Sequence, residues 1–125
     1  MDTISIGKYI SLGESGIFTY DLVLDRMWGD RQAASIMGFD EADLNDGIRL
    51  QAYLDRVHPE DLVEFAEKKH ASILHASTFQ NSHRLVRKNA EPTWVTVHSR
   101  PCRVQDGLPT LISGVISTGR RGPAD

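Results

Sequence analysis

Residues 78–118 hold three runs of alternating side chains separated by turn-forming residues, and no other feature constrains the fold as much. Over residues 78–87, Phe79, Asn81, His83 and Leu85 recur with a period of two and share one face of a strand. Residues 92–104 continue through Trp94, Val95 and Val97 as a second strand. Gln105-Asp106-Gly107 follows, and Asp-Gly tolerates the positive φ that a tight hairpin requires. Residues 108–118 supply the third strand. Strands joined as hairpins pair antiparallel. Leu111 and Val115 stand on one face of the last strand, and Ile112 and Ile116 on the other. A sheet apolar on both faces needs cover on both.

The first half of the chain supplies two more strands and the helices. Gly16-Ile17-Phe18-Thr19-Tyr20-Asp21-Leu22 alternates and is rich in β-formers. Residues 23–28 follow as a short strand across a turn at Leu24-Asp25-Arg26. Asp30 then stands as an N-cap, Ala33, Ala34, Ile36 and Met37 form an apolar face, and Gly38 closes a helix of about two turns. Residues 40–47 read as an acidic loop with at most one helical turn. Leu50, Tyr53, Leu54 and Val57 make an amphipathic stripe. His58-Pro59-Glu60-Asp61 opens the longest helix, because proline fits the first helical position and Glu60 and Asp61 complement the helix dipole. Its expected buried stripe is Leu62, Phe65, Ala66, Ile73 and Ala76. Strands segregated from helices indicate an α+β domain with a five-stranded antiparallel sheet, not a doubly wound fold.

Composition narrows the classes. The chain has 125 residues, the size of one domain, and a formal net charge of −3, which argues against nucleic acid as a partner. Residues 40–67 carry nine carboxylates and two arginines, whereas residues 80–103 carry five Lys or Arg and one Glu. These read as solvated faces or as complementary surfaces that meet in a partner. No apolar run is long enough to span a membrane and the start lacks a signal-peptide pattern, so no membrane association is expected. The single cysteine, Cys102, fits a reducing cytoplasm.

No catalytic constellation stands out, and an enzyme is not expected. Gly13-Glu14-Ser15-Gly16 has the wrong spacing for a nucleophile elbow, and neither a phosphate-cradling glycine loop nor His-Glu-x-x-His occurs. His70 and His75 are about 140° apart around a helix and cannot share a metal. His98 and Cys102 lie about 13 Å apart along a strand, too far for one coordination sphere. His58 reads as architectural and Cys102 as a small, partly buried strand residue.

Four elements in order resemble a PAS domain of the subclass common in bacterial sensor histidine kinases. The Phe18 and Tyr20 strand is similar to its first strand, and Val57-His58-Pro59-Glu60-Asp61 to its most recognisable helix start. Phe79 with His83-Arg84-Leu85 resembles its third strand. Trp94-Val95, Asp106-Gly107-Leu108-Pro109 and Gly114-Val115 follow its last hairpin. The resemblance covers residues 16–118, leaving residues 1–15 as a capping or dimerisation segment and 119–125 as a tail. Asn89-Ala90-Glu91 replaces the usual Asp-Gly. Ser117-Thr118-Gly119-Arg120 replaces the usual Asp-Ile-Thr, which leaves signalling through association open and direct covalent coupling only for a fragment of a longer chain. The Asn-Cys helix motif of flavin-adduct relatives is absent.

The resemblance implies a sensory or regulatory module of signal transduction that binds a small molecule in its pocket, associates with a signalling protein, or both. The alternatives are a structural dimerisation domain with a pocket filled by its own side chains, or the sensor fragment of a larger histidine kinase. Asn81 and His83, beside Phe79, should face the helices where such domains keep their pocket, and Phe65 should face them from the long helix. His70 stands on the helix that carries the axial histidine in haem-binding relatives. The cofactor, if there is one, stays unknown. A homodimer is expected to bury Ile6, Tyr9 and Ile10 with Ile112 and Ile116.

Overall fold

The computed structural model describes residues 14–120. Five strands form one antiparallel sheet: β1 (Ser15–Asp21), β2 (Arg26–Gly29), β3 (Phe79–Leu85), β4 (Thr93–Gln105) and β5 (Leu108–Thr118), in the spatial order β2-β1-β5-β4-β3. Four helices lie between β2 and β3 in the chain: α1 (Arg31–Met37), α2 (Glu41–Asp46), α3 (Leu50–Leu54) and α4 (Pro59–Leu74). The expected acidic loop is thus the helix α2, anchored by fully buried Leu44.

Local chemistry sets the helix ends. The Asp30 carboxylate accepts from the Ala33 amide at 2.9 Å and the Ile17 amide at 3.2 Å, so one side chain caps α1 and ties it to β1. Gly38 ends α1 at φ 81°, a left-handed conformation that costs glycine little. Gly16 lets α1 rest on β1, since a Cβ there would collide with the Ala33 backbone. Pro59 is the first residue of α4, and the His58 ring accepts from the Glu60 amide at 3.1 Å.

The strip before α4 protects the free edge of β3. The His58 amide donates to the Arg84 carbonyl at 2.9 Å, and the Val86 amide to the Arg56 carbonyl at 2.6 Å. Asp61 completes this clasp, accepting from the Arg84 amide, Nε and Nη2 at 2.8, 2.9 and 2.8 Å. The guanidinium holds the Asp61 carboxyl down at about 2. Asp61 therefore does more than complement the helix dipole.

Register decides which face each strand residue takes. Tyr20 pairs with Ile112 and Gly16 with Ile116, and directly paired residues share a face. Phe18 and Tyr20 point into the core, so Ile112 and Ile116 follow them and are buried there. This corrects the assignment of Ile112 and Ile116 to a dimer surface. Ile6, Tyr9 and Ile10 lie outside the described residues. The outer face is more polar than the alternation suggests. Hydroxyls pair across it, Ser15 with Ser117 at 3.0 Å, Thr19 with Ser113 at 3.2 Å and Ser82 with Thr96 at 2.8 Å. Among the described residues its exposed apolar side chains include Ile17 and Val115, and Val104 near the hairpin, with Leu111 partly covered.

Candidate functional site

The helices and the inner sheet face line a partly open cavity of about 30 Å³, enough for a water-sized guest. Phe18 and Tyr20 of β1, Met27 of β2 and Val97 of β4 form the sheet wall. Met37, Leu50, Tyr53, Phe65 and Lys69 close it from the helices. Two potential donors on the wall are already engaged. The Tyr20 hydroxyl donates to Asp25 Oδ1 at 2.8 Å, and burial with this anion raises its pKa. Tyr53 hydrogen-bonds to His83 Nε2 at 2.6 Å.

His83 is fully buried behind Tyr53 and Phe65. Burial pushes its pKa down to about 4, against a weaker upward pull from Asp61. The neutral ring has one donor and one acceptor. Its Nδ1 lies 2.8 Å from Asn81 Oδ1, so the arrangement that satisfies all three groups is one chain. Tyr53 O–H donates to Nε2, and Nδ1–H donates to Asn81. The candidate ligand-facing pair Asn81 and His83 is therefore engaged within the protein, as a core polar pair, and lies outside the cavity wall.

Lys69 is the polar residue that remains. It lies one helical turn after Phe65, on the inner side of α4. Its ammonium sits 4.5 Å from the centre of the Phe79 ring and 3.5 Å from Ser99 Oγ. Burial pulls its pKa down to about 8. Among the described residues no carboxylate pairs with it.

Of the candidates read from the sequence, Phe65 lines the cavity and Phe79 backs Lys69. His70 is exposed on the outside of α4, which removes it as an axial ligand to anything in the cavity. Ala66 is exposed too, and Ser72 takes a buried place on the helix. Cys102 is exposed where the β4–β5 register shifts. Lys69 was missed because a lysine ordinarily reads as solvated. Its i+4 spacing from Phe65 was the available signal. A wider cleft of about 590 Å³ lies between the end of α1 and the β3–β4 turn, but it is open and mixes Asp40 and Asp43 with Arg56, Arg87 and Lys88.

Comparison with known proteins places this architecture. The family model described as the PAS fold matches residues 26–116. The chain belongs to the PAS family. Solved structures share the fold at low identity. A sensory box histidine kinase/response regulator from Burkholderia thailandensis is 18% identical, with a TM-score of 0.72 over 90% of this chain and 82% of that one. The N-terminal domain of a diguanylate cyclase with a PAS/PAC sensor from Marinobacter aquaeolei is 11% identical, with a TM-score of 0.72 over 84% of this chain and 94% of that one. The LOV protein of Rhodobacter sphaeroides is 14% identical, with a TM-score of 0.66 over 99% of this chain and 72% of that one. No curated protein sequence matches. No helix of the described part of this PAS domain is long and apolar enough to cross a membrane.

Proposed function

We propose that this PAS domain is a non-catalytic sensory module of a cytoplasmic signalling system, with occupancy of the cavity as its input. One observation carries the reading: three of the four described helices and three of the five described strands contribute walls to the same small cavity. A guest there touches nearly every element that could shift against the sheet. Ligands act by binding one arrangement better than another, so a shared wall is the place where small contacts bias a larger equilibrium. Met27 and Met37 are adaptable walls, since the unbranched thioether changes rotamer at little cost. The signalling proteins with the same fold support the sensory part of this reading.

The output is association with a second copy through the outer sheet face, where Ile17 and Val115 are exposed beside the hydroxyl pairs. The test of the input is an amide NMR titration with the neutral apolar probes benzyl alcohol and indole. Shifts confined to residues lining the cavity are expected. A pocket that admits no probe at millimolar concentration leaves only the structural interaction domain. Sedimentation equilibrium of wild type against Ile17→Glu tests the output, with loss of the dimer expected. A monomer at tens of micromolar in both would rule out this output.

A further inference from the structure

We infer that the cleft between the end of α1 and the β3–β4 turn binds a free amino acid as its zwitterion, the carboxylate held by Arg56 and Arg87 and the ammonium by Asp40 and Asp43. The cleft measures about 590 Å³ and shares no lining residue with the cavity beneath α4. Clefts of about 300–1,000 Å³ are the size that takes a small organic molecule. Separate stretches of chain meet there. Gly38 and Phe39 follow α1, and Asp40 and Asp43 stand at the start of α2. Arg56 comes from the strip before α4, and Arg87 and Lys88 from the chain after β3. The Val86 amide, donating to the Arg56 carbonyl at 2.6 Å, holds these last two stretches side by side.

The basic wall is built in advance. The Arg56 guanidinium lies 4.2 Å from the centre of the Phe39 ring. Arg87 is braced by the Ser35 carbonyl at 3.4 Å and the Thr93 hydroxyl at 3.0 Å. A Cβ on Gly38 would come within 2.8 Å of Arg87 Cδ and 3.5 Å of Arg56 Nη1, so both side chains converge on one glycine. Among the described residues neither arginine has a carboxylate partner, and Arg87 Nε is a buried nitrogen without an acceptor. Each guanidinium carries five donors in a rigid fork, so the pair keeps donors for a carboxylate. Side chains already held in place lower the ordering cost of binding.

The acidic wall decides the class of guest. The Asp40 side chain makes no capping bond to α2. Neither Asp40 nor Asp43 forms an ion pair with Arg56, Arg87 or Lys88, although all five line the same cleft. A plain anion gains the arginines but meets two carboxylates, and a plain cation meets the reverse. A guest with a carboxylate and an ammonium on one short skeleton suits both walls.

The test titrates the full chain with L-alanine, 4-aminobutyrate and 6-aminohexanoate, which space the two charges differently. Butyrate and butylamine are the single-charge controls, and amide NMR follows Phe39, Arg87 and Lys88. At least one amino acid should move these amides saturably, with both controls at least about tenfold weaker. Arg56→Gln and Asp43→Asn should each weaken that amino acid about threefold or more, at an unchanged melting temperature. The comparison among ligands uses wild type alone, so it decides even where a variant is destabilised. The assignment is overturned if no amino acid moves the amides, if either control matches the best amino acid, or if neither folded variant weakens it. None of these outcomes bears on the cavity beneath α4.

Discussion

A buried histidine and a half-buried lysine flank Phe65, and they have been handled in opposite ways. On one side His83 lies 4.7 Å from the Phe65 ring, centroid to centroid, and both its nitrogens are engaged, by Tyr53 and Asn81. On the other side the Phe79 ring, 5.4 Å from Phe65, carries the Lys69 ammonium, which has one weak 3.5 Å contact to Ser99. The first group is closed: each polar atom has a partner, and the chain of bonds fixes α3 to β3. The second is open, because its charge has no opposite. Satisfied networks specify structure, whereas a half-buried lysine head keeps water within reach.

The closed side should be the costlier one to break. His83→Leu removes the acceptor of the Tyr53 hydroxyl and the donor to Asn81, leaving two buried polar groups without partners. Each such loss costs about 1–3 kcal/mol, so urea denaturation should show a loss of about 3–4 kcal/mol. A loss below about 1 kcal/mol would mean that the three-residue chain contributes nothing.

The same histidine sets a pH dependence. Its folded pKa of about 4 lies below its unfolded value of 6.5, so the unfolded state binds more protons between the two. Stability should therefore fall as pH drops from 6.5 to 4, by about 3 kcal/mol in all, and His83→Leu should lack that slope. Below pH 4 the loss passes to Asp61, whose carboxyl is held at about 2 and whose contribution vanishes as it protonates. Asp61→Ala removes three charge-assisted hydrogen bonds and should cost about 2 kcal/mol. It also removes the anion that lifts the His83 pKa, so the His83 titration followed by NMR should move further down.

The sequence makes one side of this comparison easier to read than the other. Asp30, Gly38, Pro59 and Asp106-Gly107 act on their own neighbours, and each marks a boundary found in the fold. The period of two in β3 places Asn81 and His83 inside. Whether their polar ends meet a ligand or each other depends on Tyr53, thirty residues away in sequence. The faces of β5 are equivalent by alternation alone, and pairing of Tyr20 with Ile112 decides between them. On α4 the difference between Lys69 and His70 is one residue, or about 100° around the axis. A stripe drawn through Ala66 and Ile73 leaves a lysine among the solvated residues. A stripe drawn from Phe65 by steps of four and three runs through Lys69 to Ser72. Chemistry-bearing residue types drew attention to histidine, whereas the geometry favours lysine.

The open side predicts the smallest effect, with the opposite sign. Lys69 carries a half-buried charge over the Phe79 ring, so Lys69→Met should stabilise by up to about 1 kcal/mol at pH 7, since replacing a desolvated charge by an apolar group of similar length often does so. Its pH dependence separates this from simple cavity filling. The folded pKa of about 8 lies below the unfolded value of 10.5, so the unfolded state binds more protons between them and wild-type stability should rise with pH above 8. Tyr20 and Tyr53 act the other way near pH 10, because burial raises their pKa and the folded state then keeps the proton. Both tyrosines remain in Lys69→Met. The difference in urea stability between wild type and variant therefore isolates the lysine. It should shrink from pH 8 to 9.5, where Lys69 in the folded protein has lost its charge. A difference that stays constant over that range would assign the stabilisation to packing and remove the half-desolvated charge on which the open side depends.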